Sequence, residues 1–119
     1  MYEPILRYVE TGDPSYLERA AESALRTGAY LEHVLDLALL TPPESLPPSA
    51  RRLLAGIKHV VETADCGSLP EYLKTPCWIA KRRAGWVGVE AERAPEVEAL
   101  GVERVVYAFC KALGVAVQP

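Results

Sequence analysis

Two arginine–histidine pairs, one basic–aromatic run and three cysteines are the residues whose types and spacing could do chemistry. Arg26 precedes His33 by seven residues, and Arg52 precedes His59 by the same interval. On a helix, seven residues return to within about 20° of the starting direction. Arg52 and His59 would therefore share one face, opposite Leu53, Leu54, Ile57 and Val61. There an imidazole could act as general base while a guanidinium holds a phosphate. Gly28 interrupts the other pair and makes it a poorer shared site. The densest basic–aromatic stretch is Lys81-Arg82-Arg83 followed by Trp86, with Lys74 and Trp78 near. It could track a phosphate backbone and stack a base, although Glu90, Glu92, Glu96 and Glu98 follow and could neutralise it.

Cys66, Cys77 and Cys110 show no C-x-x-C spacing, and both histidines are far from them, so neither a metal site nor a cofactor is expected. Cys66 and Cys77 fall at a loop and a helix start and are a candidate disulfide. Cys110 lies on an apolar stripe and reads as a small buried hydrophobe. No Ser/His/Asp set, paired carboxylates or phosphate-cradling Gly loop stands out, so an enzyme is not the favoured reading.

The elements that must position these residues are mostly helical. Residues 29–40 carry Leu31, Val34, Leu35 and Ala38 at helical spacing, widened by Tyr30, Leu37, Leu39 and Leu40, and read as a central rod. A short helix over 4–10 precedes it. A second begins at Asp13-Pro14, an N-cap followed by proline, and closes at Thr27-Gly28. Residues 41–48, with four prolines, form a stiff crossover. The spacing then predicts helices over 49–64, 77–84, 95–100 and 102–113, with a single turn at 69–74. The alternation of Val87, Val89 and Ala91 predicts a strand over 86–93, which could pair with 115–117 as a two-stranded ribbon.

The two halves echo each other. Tyr8-Val9-Glu10-Thr11-Gly12-Asp13 matches Val60-Val61-Glu62-Thr63-Ala64-Asp65, and Pro14-Ser15-Tyr16-Leu17-Glu18 matches Pro70-Glu71-Tyr72-Leu73-Lys74. The expected fold is therefore a single mostly α domain over 1–119, a compact helical bundle of two related three-helix halves. These are residues 1–40 and 49–119, joined by the crossover, packed around a pseudo-two-fold and carrying at most one short β-ribbon.

Arginine with histidine a few residues on, in a small all-helical chain, resembles the HEPN superfamily of RNA-cleaving and nucleotide-associated domains. Residues 21–40, two helices around Leu25-Arg26-Thr27-Gly28-Ala29-Tyr30, also look like that family's first hairpin. The same segment looks like one tetratricopeptide unit, except that His33 stands where that pattern has a small residue. The HEPN resemblance implies RNase activity across a dimer, with Arg52 and His59 as its catalytic pair. Leu53 stands where the family has a polar residue after the arginine.

Half of the residues are hydrophobic and a quarter are charged, with a net charge of −3. That is the balance of a globular chain without a bulk basic field, so nucleic acid is not the favoured partner. Asn is absent, Gln occurs once and Arg outnumbers Lys nine to four. These features, with proline-stiffened loops, fit a thermophile. No apolar run approaches the roughly 20 residues that span a bilayer, and the N-terminus has no leader pattern. The expected location is cytoplasmic, without a membrane. The expected function is a non-enzymatic protein–protein interaction module or small subunit of a larger assembly, with an RNA-associated helical protein as the alternative. Tyr72, Trp78, Trp86, Val87 and Val89 are the expected contact surface, for a protein partner or a homodimer. Lys74, Lys81, Arg82 and Arg83 would contact nucleic acid in the alternative.

Overall fold

The computed structural model describes residues 3–117. Reading Met1 and Tyr2 as a start without a leader therefore lies outside the described residues. Seven helices follow in order among them: α1 Glu3–Thr11, α2 Pro14–Thr27, α3 Leu31–Leu40, α4 Pro48–Thr63, α5 Glu71–Ala84, α6 Pro95–Glu98 and α7 Val102–Leu113. Short 3-10 turns at Pro43–Ser45 and Cys66–Ser68 join them. The mostly helical bundle expected from periodicity is what forms, and no described helix is long and apolar enough to cross a membrane.

Local chemistry explains the helix ends. The Asp13 carboxylate accepts from the Ser15 N–H at 3.0 Å, with Pro14 opening α2. Gly28 closes α2 in the left-handed conformation at φ 75°. Tyr30 follows at φ 53°, the one described non-glycine residue with positive φ. Leu17, Ala20, Ala21, Ala24 and Leu25 of α2 are buried, and the alanines let α1 and α4 approach closely. α7 packs on α3, α4 and α5 and brings Phe109 into one continuous core with Leu17, Leu35, Leu53, Ile57 and Leu73. The radius of gyration is 13.4 Å, close to the value of about 13.5 Å for a compact unit of this length.

Four expectations are corrected. The turn at 69–74 and the helix at 77–84 are one continuous helix, α5, with Pro76 inside it. Proline there removes a backbone hydrogen bond and normally breaks a helix. The break is prevented because Leu73, Pro76, Cys77, Ala80 and Ala84 make one buried stripe on α5. Pro76 also uses its own carbonyl, which accepts from the Cys110 thiol at 3.5 Å.

Residues 86–93 are not a strand. The alternation is real, with Val87 and Val89 buried and Gly88 and Glu90 exposed, but the surface it faces is α4. The Lys58 ammonium donates to the carbonyls of Val87 at 3.0 Å and Val89 at 2.8 Å, and the Glu92 N–H donates to the Ala55 carbonyl at 3.2 Å. The segment is an extended strap laid along a helix. Just beyond it Ala94 and α6 press on Gly56, where an added Cβ would lie 2.8 Å from Ala94 Cβ and 2.9 Å from Val97 Cγ2.

The ribbon partner is also absent, because the chain after α7 enters a helix cap. Gly114 N–H donates to Lys111 and Val115 N–H to the carbonyl of Cys110, at 3.2 and 2.9 Å, with Val115 buried. Nor do the halves pack around a two-fold. α2 lies along α4, but their counterparts in the repeat, α5 and α1, do not meet to a similar extent.

Candidate functional site

The site is built on the outer face of α5 and the strap that leaves it. The buried stripe of α5 turns Trp78 and Ile79 outward, with relative exposures of 59% and 36%. Arg82 lies one turn beyond Trp78 on the same side. Past the helix end, Trp86 N–H donates to Arg83 O at 2.9 Å and Val87 N–H to Ala84 O at 3.1 Å. This tight turn sends Val87 into the core and leaves Trp86 79% exposed. The Arg83 guanidinium carbon stands 6.0 Å from the centre of the Trp86 ring.

A groove of about 310 Å³ opens beside Trp86, between the end of α3, the crossover and the end of α7. Ala38, Leu46, Leu54 and Val87 are its buried members, and Leu39 and Leu113 line it further out. Arg83 and Trp86 complete it. The sequence singled out Trp86 but not the groove. Its signals were Gly88 and Pro43, which approach so closely that a Cβ on Gly88 would lie 2.4 Å from Pro43 Cγ.

The expected contact residues divide. Trp78 and Trp86 are on the surface, and neither fills the space beneath the crossover. Val87 and Val89 are corrected: at 7% and 4% exposure they belong to the core, held there by the strap. Tyr72 faces elsewhere, donating to Glu103 Oε2 at 3.0 Å in a shallow groove with Leu100, Arg104 and Tyr107. That hydrogen bond holds the Tyr72 phenol above its ordinary pKa.

The basic run is largely engaged in structure. Lys74 pairs with Glu71 at 3.3 Å. Lys81 donates to the carbonyl of Ala64 at the end of α4, and Arg83 Nη1 to that of Leu113 at the end of α7, at 3.4 Å. Cations at helix C-termini satisfy free carbonyls and complement the dipole. Arg82 is exposed and, of these four, is the one without a partner among the described residues.

The arginine–histidine pairs are separated by their neighbours. Arg52 grips Glu96 with two hydrogen bonds, Nη2–Oε1 at 2.7 Å and Nε–Oε2 at 3.2 Å. These raise the guanidinium pKa and lower that of the carboxyl. A carboxylate thus stands where the HEPN resemblance needs a phosphate. His59 lines a groove of about 470 Å³ with Thr63, Asp65, Arg93 and Glu98, and Arg52 is not among its walls. Arg93 and Glu98 pair there at 2.9 and 3.0 Å. His33 packs edge-on to Tyr30, ring centres 6.2 Å apart, and Arg26 is exposed on the last turn of α2.

Cys66 and Cys77 form a disulfide, Cα–Cα 5.6 Å, with both residues buried. Cys110 is a free buried thiol, and burial pushes its pKa up to about 11. No group of three metal-binding side chains gathers among the described residues.

Compared with known proteins, the chain matches no protein-family model, no curated protein and no solved structure.

Proposed function

We propose that this chain is a non-enzymatic protein–protein interaction module, a small subunit of a larger assembly. The observation that carries the reading is the exposure of two tryptophans, Trp78 on the outer face of α5 and Trp86 in the turn just beyond it, outside a well-filled core. Trp is the residue most often found anchoring interfaces, because it brings a large rigid area with few torsions to fix. The chain has a continuous core without them, so their exposure is not a by-product of poor packing. The nucleic-acid alternative has less support, since Lys74 pairs with Glu71, Lys81 is engaged by the Ala64 carbonyl, and the chain carries a net charge of −3. Absent Asn and proline-stiffened loops support a thermophile as the source, the setting in which a disulfide is compatible with a cytoplasmic chain.

The test is cross-linking of the tagged chain in its own cells, comparing the natural sequence with W78S and W86S. The expected result is one recurrent partner whose recovery falls at least about tenfold in both variants, as loss of an interface anchor produces, with helical circular dichroism unchanged. Identical recovery from all three chains would overturn the reading.

A further inference from the structure

The groove beside Trp86 is more selective than an exposed apolar patch. Its volume of about 310 Å³ holds about ten water-sized groups at about 30 Å³ each. That suits one leucine- or phenylalanine-sized side chain and its adjoining backbone. The walls are apolar, and the hole lies next to Trp86, the arrangement in which an interface anchor is buried and shielded from water.

Its charge is one-sided. Among the residues that line it Arg83 is charged and none is acidic. Arg83 makes one long contact, to Leu113 O at 3.4 Å, so most of its five N–H donors remain for an incoming acceptor. A second copy of the chain fits poorly here. A two-fold contact sets the same patch on both sides, and Arg83 would then meet its own duplicate with no acidic lining residue to offset it.

We propose that this groove receives an apolar side chain of a partner protein, and that a carboxylate adjacent to that side chain pairs with Arg83. The proposal rests on the interaction-module reading and gives the partner's chemistry. Arg83 does two things in it, closing α7 and selecting the acidic neighbour of the anchor.

Nuclear magnetic resonance on the full chain tests this with three short acetylated and amidated peptides, carrying Phe-Glu, Phe-Gln or Ala-Glu between glycines. The Phe-Glu peptide is expected to shift the Trp86 indole N–H and the amides of Val87 and Gly88 in a saturable way. The Phe-Gln peptide should bind about threefold more weakly, as one exposed ion pair gives, and the Ala-Glu peptide should leave these signals in place. Arg83→Gln should equalise the first two peptides, and Arg83→Lys should restore the difference if the fold is intact. Equal binding of Phe-Glu and Phe-Gln to the natural chain overturns the proposal. So do Trp86 signals that move with protein concentration alone, which would mean a second copy fills the groove. Failure here with Trp78-dependent partner capture intact overturns the groove assignment and leaves the module reading standing.

Discussion

Arg104 Nη2 donates to the carbonyl oxygen of Gly28 at 2.9 Å, so a side chain of α7 closes the end of α2 across 76 residues of sequence. The guanidinium lies where a side chain on residue 28 would begin, since an added Cβ would be 2.6 Å from Nη2. Glycine at this position thus serves two needs, a left-handed φ and room for Arg104.

That pairing separates two substitutions that look alike in sequence. Gly12→Ala also falls at positive φ, 71°, but meets nothing within 4 Å, so it should cost about 1 kcal/mol. Gly28→Ala must in addition displace Arg104 and should cost about 2–3 kcal/mol. Urea denaturation of both variants checks the order. Equal losses would show that the Arg104 contact contributes nothing.

Replacing Cys66 and Cys77 together by serine should lower stability by about 3 kcal/mol, the chain-entropy value for so short a loop, given their separation of 11 residues. Cys110 should behave differently. With its pKa near 11 it is almost wholly a thiol at pH 8, and it should react with a thiol reagent only after unfolding. Its raised folded pKa favours the neutral thiol, so this contribution is complete below the ordinary value of 9.0 and is lost as pH rises toward 11. Cys110→Ala should flatten that alkaline decline, read by melting temperature against pH.

The acid side has a different origin. Glu96 and Glu98 are lowered in the folded chain, first by their hydrogen bonds to Arg52 and Arg93, and Asp13 is lowered by the Ser15 backbone N–H. A lowered carboxyl contributes fully above its unfolded value, here 4.5 for the two glutamates. The contribution fades as pH falls through the folded value. Melting temperature should therefore drop below about pH 4.5, and less steeply in Glu96→Gln. Parallel curves for the two chains would remove the Arg52–Glu96 pair as a cause.

Lys58→Ala should cost about 2 kcal/mol by leaving the Val87 and Val89 carbonyls without their shared donor. It should also loosen the strap, and Trp86 fluorescence anisotropy should fall while that of Trp78 in a Trp86→Phe chain stays constant. A change at both tryptophans would mean that α5 itself had moved.

Local signals made part of this legible in advance. Asp13-Pro14 and Gly28 mark both ends of α2, and the spacing of Leu53, Leu54, Ile57, Val60 and Val61 marks α4, because capping and periodicity act within a few residues. The pairing of Cys66 with Cys77 could be weighed from their positions. Pro76 gave the opposite signal to what forms, because the packing of α5 outweighs the local cost of proline. Val87 and Val89 alternate as a strand would, but alternation says which side is buried and not what it is buried against. Whether Trp78 is inside or outside depends on which face of α5 meets α7, and the exposure of Trp86 on how the chain leaves that helix, long-range choices that no local pattern carries.

The Cys66–Cys77 bond makes residues 66–77 a covalent ring within an otherwise linear molecule. A single peptide cut among the exposed residues Gly67, Ser68 and Pro70 would not divide the protein in two. The nicked form would keep its full mass on a non-reducing gel and fall into two fragments only after reduction. The corner leading into α5, the helix that carries Arg83 of the groove, is thus tethered even when its backbone is open.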